Sequence, residues 1–520
     1  MKDIKEETIK EIIKEKIDNS DKLASLKRKM AKKFKTSCPS NIELLKSYHK
    51  LVKNKKVKKS FFIENLLRIR PIRSLSGIVN VSVLTKPYPC PGKCIYCPQE
   101  EGIPKSYLDK EPAVMRAILN KYHPKKQVLM RLRALKKTGH PIDKIELRII
   151  GGTWSFYSKK YQTWFVKECF RAANEFESKK SKAKTLEEIH KRNEKSKCRI
   201  IGMSVETRPD FINKEEIKRM RKMGITRVEL GVQSIYDDVL KINKRGHGVK
   251  ETIRATRILK DAGFKICYQM MPNLFGSDLK RDFKMFKNLF SDSNFQPDLL
   301  KIYTTAILKN TLLYKYWKQG KYKPYTKKQL ISLIKKIKKI IPYYVRIQRI
   351  TRDIPPSKIV AGPAKISNLR QIIAEDMKKE GWKCKCIRCR EAGRLKIKKD
   401  LKLFRQDYEA SYGKEIFLSF ETKDRESLYS LLRLRIPSNS KEVGLIREIH
   451  TYSQLLPIKK SSLDSAQHKG LGKKLIKKAE KIAKEEFKLK KIAVISGVGV
   501  RGYYKKLGYF LENTYMVKNI

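Results

Sequence analysis

The stretch Cys90-Pro-Gly-Lys-Cys94-Ile-Tyr-Cys97-Pro98 gathers three cysteines in one short loop. Gaps of three and then two residues let the loop aim three thiolates at a single centre. An iron–sulfur cluster ordinarily takes four such ligands, so three leave one iron open, which is a reactive arrangement rather than a storage one. Zinc is the competing occupant, but a structural zinc needs a fourth Cys or His, and no histidine lies close by in the chain. A strand candidate, Val79–Leu84, runs directly into this loop.

On either side of this loop, short apolar runs alternate with amphipathic stretches. Further strand candidates are Lys144–Ile150, Arg199–Val205, Arg227–Val232, Phe264–Met270 and Leu299–Thr304; helical patterns such as Asn213–Met223 and Val249–Ala262 lie between them. Repeated strand–helix units joined by glycine-containing turns predict an α/β fold. Its parallel sheet curves into a partial (β/α) barrel of TIM type over residues 76–345. In such barrels the chemistry sits at the carboxyl ends of the strands. The cysteine loop, Gly151-Gly152, Glu206 and Gln233 all fall at such ends.

The chain is 520 residues long, enough for several domains with real cores. Its 121 Lys+Arg against 53 Asp+Glu give a formal charge of +68. That excess opposes folding by self-repulsion and suits a polyanionic partner, because each phosphate contact releases condensed counterions. A lysine-rich proteome would raise glutamate as well, and here the acids lag. Residues 1–75 read as a basic helical region. Its densest run, Lys53-Asn-Lys-Lys-Val-Lys-Lys59, reads either as a solvated helix face or as a nucleic-acid grip, and the overall charge favours the grip. No apolar run is long enough to span a membrane, and the opening Met1–Ser20 has no apolar core of a signal peptide, so a cytoplasmic chain is expected.

Six of the ten cysteines fall in two clusters of three, which argues for metal rather than disulfides. The second cluster, Cys384-Lys-Cys386-Ile-Arg-Cys389, lies in a linker over residues 346–402. Three thiolates at that spacing suit a structural zinc with a fourth ligand from elsewhere; oxidised or merely buried thiols are the alternative. Residues 403–520 read as a separate α+β domain, with antiparallel candidates Glu415–Glu421 and Leu428–Arg435. Then come Gly444–Tyr452, a glycine-bearing turn Gln467-His-Lys-Gly470-Leu-Gly472, an amphipathic helix and a strand at Lys491–Ser496. Glycines at a helix start let backbone N–H groups point at a pyrophosphate. Tyr504 in Arg501-Gly-Tyr503-Tyr504 is a candidate proton donor, or else simple core packing.

The loop at 90–98 with its strand order resembles the radical S-adenosylmethionine (SAM) superfamily, and the carboxyl-terminal order resembles the GNAT acetyltransferase superfamily. Joined in one chain they are similar to the Elongator catalytic subunits, the tRNA carboxymethyluridine synthases. Gly-His-Pro-Ile-Asp-Lys at 139–144, Val-Glu-Thr-Arg-Pro-Asp at 205–210 and Glu-Leu-Gly-Val-Gln-Ser at 229–234 carry the likeness. So do Arg-Glu-Ile-His at 447–450 and Ile-Ser-Gly-Val-Gly-Val-Arg at 495–501, and it runs from about Lys27 to the end.

The resemblance implies a [4Fe-4S] cluster on Cys90, Cys94 and Cys97, with SAM on the open iron contacted by Gly151, Gly152, Glu206 and Gln233. It implies acetyl-CoA held by Lys144 from the barrel, by Glu448, Ile449, His450 and Thr451, and by Leu471, Gly472, Lys473 and Tyr504. It implies a metal, read here as zinc, on Cys384, Cys386 and Cys389. A SAM-derived 5′-deoxyadenosyl radical would take hydrogen from the acetyl methyl. The carbon would join C5 of uridine 34, and thioester hydrolysis would leave a carboxymethyl group. The tRNA anticodon stem-loop is the implied partner, with accessory subunits or a second copy as further ones; neither membrane nor DNA is expected. Two departures stand out: the turn before Gln467 is short and glycine-poor for the family, and Gly502 replaces a bulkier residue. Protein lysine acetylation is the rival activity, but it leaves the cysteine triad without a task; an RNA-binding scaffold leaves both sites so.

Overall fold

Seven strands pair in sequence order, each parallel to the next: β1 (Val79–Leu84), β2 (Lys144–Ile150), β3 (Arg199–Thr207), β4 (Arg227–Gln233), β5 (Lys265–Met270), β6 (Leu299–Ile302) and β7 (Arg346–Arg349). They are seen in a computed structural model that describes residues 3–74, 76–179, 182–393, 400–438, 440, 442–452 and 470–520. Among the described residues β1 and β7 do not pair, so the sheet is a partial barrel, as expected. The crossover helices cover its outer face. Asn213 caps the helix Lys214–Lys222 through the Glu216 amide, and Val166, Phe170, Met220 and Leu259 pack onto strand residues such as Val205 and Val228. The first six strands match the sequence-derived ones to within two residues. β7 carries no clear signal: Arg-Ile-Gln-Arg has one buried apolar residue, Ile347, and only its pairing with β6 makes it a strand. The barrel sheet therefore runs past residue 345 into the expected linker.

A second sheet has the order β13–β14–β12–β11–β10–β9–β8, from β8 (Leu401–Ala410), β9 (Gly413–Thr422), β10 (Leu428–Ile436), β11 (Val443–Thr451), β12 (Lys491–Val494), β13 (Phe510–Glu512) and β14 (Tyr515–Asn519). Only β11 and β12 run parallel. The helix Leu471–Glu485 packs Leu475, Ile476, Ala479 and Ile482 onto this sheet. The sequence-derived face was right; the turn at Gln467 lies outside the described residues.

The amino-terminal helices Ile4–Lys14, Ser20–Lys33, Asn41–Lys53 and Phe61–Leu67 close a small core around Ile9, Leu26, Leu44 and Tyr48. Arg68 Nε donates to the Gly139 carbonyl at 2.7 Å, and the His140 ring meets Ser74 Oγ at 2.9 Å, tying this unit to the barrel.

The second sheet seats against the amino ends of the barrel strands through buried charge. Arg447 reaches Asp298 and the Phe264 carbonyl, Arg435 reaches Asp261 at 2.6 Å, and Arg433 reaches the Tyr344 carbonyl at 2.6 Å. Gly497 is required there: a Cβ would stand 2.0 Å from the Ile201 carbonyl oxygen.

Candidate active site

Alternation along the strands decides what the barrel holds. In β2, Lys144, Glu146, Arg148 and Ile150 share one face, and that face points inward. Lys144 and Glu146 line a cleft at the amino ends of the strands, Ile150 lines a cavity at their carboxyl ends, and Arg148 lines both. In β4, Arg227 lines the cleft, and Gly231 and Gln233 line the cavity. Where a closed TIM barrel packs branched aliphatics, this half-barrel has a polar lumen.

The cavity, about 340 Å³, contains Cys90, Cys94, Cys97, Gly151, Gly152, Glu206 and Gln233 together in its wall. The cysteine loop follows β1 and is braced by cations: Lys105 Nζ donates to the Gly92 carbonyl at 2.7 Å, and Arg245 Nη1 lies 3.6 Å from Cys94 Sγ. Burial, with the neighbouring Cys94 thiol, pushes Cys97 up to about 12, a shift that coordination to a cation would reverse. Gly151 has φ of +134°, and a Cβ there would meet Thr85 Oγ1 at 1.9 Å, so the turn into the cavity needs glycine. Glu206 accepts from Tyr107 Oη at 2.8 Å, Gln269 at 3.2 Å and Lys301 at 3.0 Å. Gln233 Oε1, Thr304 Oγ1 and Arg208 Nη1 are buried without hydrogen-bond partners among the described residues. Orphaned polar atoms in a wall beside three thiols fit a bound metal cluster with a polar, zwitterionic ligand.

The cleft, about 760 Å³, lies between barrel and second sheet and brings together Lys144, Glu448, Ile449, His450, Thr451, Leu471, Gly472, Lys473 and Tyr504. β12 pairs with β11 only over Val443–Ile446, whereas β11 stays on β10 as far as Thr451. The two parallel strands therefore splay, and the Arg447–Thr451 edge faces the cleft without a ladder partner among the described residues. The helix Leu471–Glu485 starts beside this wedge; its N-cap, Gly470 at φ +76°, supplies no side-chain cap, so its first amides are free to hold an anion.

Glu448 is committed to Lys265 at 3.0 Å and Arg433 at 2.9 Å. Burial would raise its carboxyl, but those cations outweigh burial and hold it well below the usual range. Burial lowers both Lys144 and His450, the latter against the pull of Glu448. The His450 ring stacks on Tyr452 at 4.2 Å, and its Nε2 lies 2.9 Å from the Ser76 carbonyl. Tyr504 is 4% exposed, and burial raises its phenol, so it keeps its proton.

The third group lies apart from both sites. Cys384, Cys386 and Cys389 hold their sulfurs within 4.8 Å of one another, and Lys338 Nζ is 3.4 Å from Cys389 Sγ. Thiolates bound at about 2.3 Å to one tetrahedral ion would stand about 4 Å apart, so this spacing fits a single ion.

Residues 88–285 match the radical SAM superfamily, residues 297–379 the radical SAM C-terminal domain, and residues 463–509 the acetyltransferase (GNAT) family. The chain is 43% identical to a tRNA uridine(34) acetyltransferase of Methanocaldococcus jannaschii, over 98% of this chain and 97% of that one. It is 38% identical to human Elongator complex protein 3, over 87% of this chain and 86% of that one. The chain belongs to the Elongator complex protein 3 family. A solved structure of Methanocaldococcus infernus Elp3 lacking residues 1–46 superimposes with a TM-score of 0.75 at 43% identity, covering 86% of this chain and all of that one.

Membership in the Elongator complex protein 3 family brings a [4Fe-4S] cluster and SAM to the radical SAM half and acetyl-CoA to the GNAT half. Among the described residues, no helix is long and apolar enough to cross a membrane. The sequence and its resemblance mark seven residues of the cavity and nine of the cleft, but not what joins the two sites: Arg148 and Arg349, which line both, and Lys301 and Arg227 between them. The signal was present in Lys144-Ile-Glu-Leu-Arg-Ile-Ile150, whose alternation marks a strand with one charged face. Nothing in it says that the face points inward.

Proposed function

We propose that the protein builds a carboxymethyl group on uridine 34 of tRNA, using acetyl-CoA as carbon donor and SAM as radical source. The observation that carries this reading is the pairing of a three-thiol cavity with a splayed-strand cleft at opposite ends of one polar lumen. The wobble-uridine activity in the relatives' names supports it. Bound to Cys90, Cys94 and Cys97, the cluster would supply the electron that cleaves SAM into a hydrogen-abstracting radical. Gly151, Gly152, Glu206 and Gln233 would hold SAM's polar groups, with the orphaned oxygens of Gln233 and Thr304 accepting from its donors.

In the cleft, the amides of Leu471, Gly472 and Lys473 would take the pyrophosphate, and Lys144 would add charge from the barrel side. The free edge of Ile449–Thr451 would pair with the amides of the pantetheine arm. Tyr504, kept protonated by burial, would hydrogen-bond the thioester sulfur. Glu448, committed to two cations, shapes the cleft rather than taking protons. The ion at Cys384, Cys386 and Cys389 is read as zinc, locking the linker to the barrel. The exposed lysines of Lys53–Lys59 and the rest of the amino-terminal unit would grip the tRNA, with the anticodon loop at the cavity mouth. Accessory subunits or a second copy, and a cytoplasmic setting, follow from the same reading.

The test is anaerobic reconstitution with SAM, reductant, acetyl-CoA and tRNA, followed by mass spectrometry of nucleosides. Carboxymethyluridine together with 5′-deoxyadenosine is expected. Acetylated protein lysine with neither product would hand the chain to lysine acetylation.

A further inference from the structure

The acetyl-CoA cleft and the SAM cavity lie at opposite ends of the barrel strands, so acetyl-CoA in the first is separated from SAM in the second by the depth of the lumen. From Lys144 to Ile150, β2 climbs about 20 Å. An extended pantetheine arm with its acetyl group spans about 17 Å at backbone-like bond geometry, which is comparable to that depth.

The lumen between is crossed by a network of ion pairs, in which Arg227 also holds Glu146 of the same inward face. Glu229 is held by Lys301 and by Arg227 at 3.2 Å, and Lys301 also reaches Glu206 at 3.0 Å. Arg148 adds a third cation to the same carboxylate at the longer distance of 3.5 Å, and its Nε is buried without a partner. Its side chain is 15% exposed and borders both spaces. Arg349 is the other residue of the lumen wall that borders both, and it leans on Asp353 toward the cavity. Of the three cations on Glu229, Arg148 sits farthest from the carboxylate, and it stands where the tip of an inserted arm would come to rest.

We propose that the lumen is the route by which the thioester, first held at Tyr504 in the cleft, moves toward the cavity, and that Arg148 is the positioning residue that takes its carbonyl at the end of that route, after the sulfur has left Tyr504. A guanidinium presents donors in a fixed plane, so it can hold the carbonyl oxygen and turn the methyl toward the cavity while Lys301 and Arg227 keep Glu229 neutralised. Arg349 supplies a second positive group on the cavity side. The inference rests on the function proposed above and deepens it by naming the path and the residue.

The experiment has two arms on the full chain, comparing wild type with Arg148→Met and Arg148→Lys. In the first arm, acetyl-CoA labelled with ¹³C at the carbonyl is bound and its carbonyl stretch read by difference infrared spectroscopy. A downshifted band in wild type, lost in Arg148→Met and partly kept in Arg148→Lys, is expected, with acetyl-CoA Kd changed by less than about threefold because the pyrophosphate contacts are distant. In the second arm, trideuterated acetyl-CoA is supplied to the reconstituted protein with SAM, reductant and tRNA. Each turnover breaks a methyl C–D bond and forms a C–D bond at the 5′ carbon of deoxyadenosine. Arg148→Met should lower this deuterium transfer at least tenfold, with cluster content unchanged.

An unshifted band in wild type, or band and transfer both undiminished in Arg148→Met, overturns the role of Arg148. Absence of deuterium transfer in wild type overturns the proposed function itself, whatever the infrared arm reads.

Discussion

Glu111 shows what burial does to one side chain. It stands at the cavity wall, where its carboxylate accepts the Leu108 amide at 3.2 Å and Arg352 lies 3.6 Å away. Burial raises its pKa to about 7, with Arg352 pulling it back only in part. The folded state therefore binds this proton more tightly than the unfolded chain. The resulting stability is fully present below about pH 4.5 and is lost as pH rises through 7, a change of about 3 kcal/mol. Glu111→Gln removes the titration while keeping an acceptor for Leu108. Its melting temperature relative to wild type should rise between pH 5 and pH 8, and parallel profiles would refute the assignment.

Among the elements, the wedge between β11 and β12 and the helix that begins beside it form the cradle proposed for acetyl-CoA. Gly472 sits in that first turn, where a Cβ would stand 3.3 Å from Tyr503 Oη and 3.5 Å from Ile449 Cδ1. The helix itself gains from alanine, so Gly472→Ala should fold as well as wild type. The added methyl narrows the cradle where the pyrophosphate would meet the amides, and acetyl-CoA affinity by calorimetry should fall about tenfold, or about 1.4 kcal/mol. Unchanged affinity would place the pyrophosphate elsewhere. The amphipathic pattern of this helix was legible from Leu475, Ile476, Ala479 and Ile482. The splay was not, because it depends on where β12 ends against β11, and Lys491–Val494 reads as an ordinary short strand.

Two forces set the behaviour of the whole molecule. The first is the buried charge between the domains. Arg447 is fully buried and shared between Asp298 of the barrel and Glu415 of β9. Arg447→Met would take from Asp298 its nearest cation, leaving Arg433 at 3.6 Å, and from Glu415 one of three, leaving Arg435 at 3.1 Å and Lys260 at 3.6 Å. Breaking a buried ion pair costs about 3–5 kcal/mol, and the remaining cations put this one toward the lower end. A large loss of thermal stability is expected, and a neutral effect would show that the network is not what joins the domains. The second is the net charge of +68. Lys55, Lys56 and Lys58 are exposed at the end of the third amino-terminal helix, so replacing all three with alanine should leave folding intact. The slope of log affinity for tRNA against log salt should become shallower by about 2–3, at roughly 0.7–0.9 per lost phosphate contact. An unaltered slope would move the tRNA grip away from this unit.

Local rules were enough for much of this protein. The loop at 90–98 announced its thiol triad through spacing alone, and six barrel strands announced themselves through apolar runs and punctuating glycines. The helix after Gly470 did so through its 3.6-residue period. Those signals are local, because a ligand loop, a buried strand and an amphipathic helix each write their constraint into adjacent residues. The tertiary structure alone decided the rest. It made Arg346–Arg349 a strand, since that short polar segment is held by β6 rather than by its own pattern. It placed the cleft that both domains share at the amino ends of the barrel, opposite the thiol cavity. It also turned the charged faces of β2 and β4 inward. A strand's alternation states that it has two faces; which face meets solvent, core or lumen depends on the curvature of the sheet and on what packs against each side.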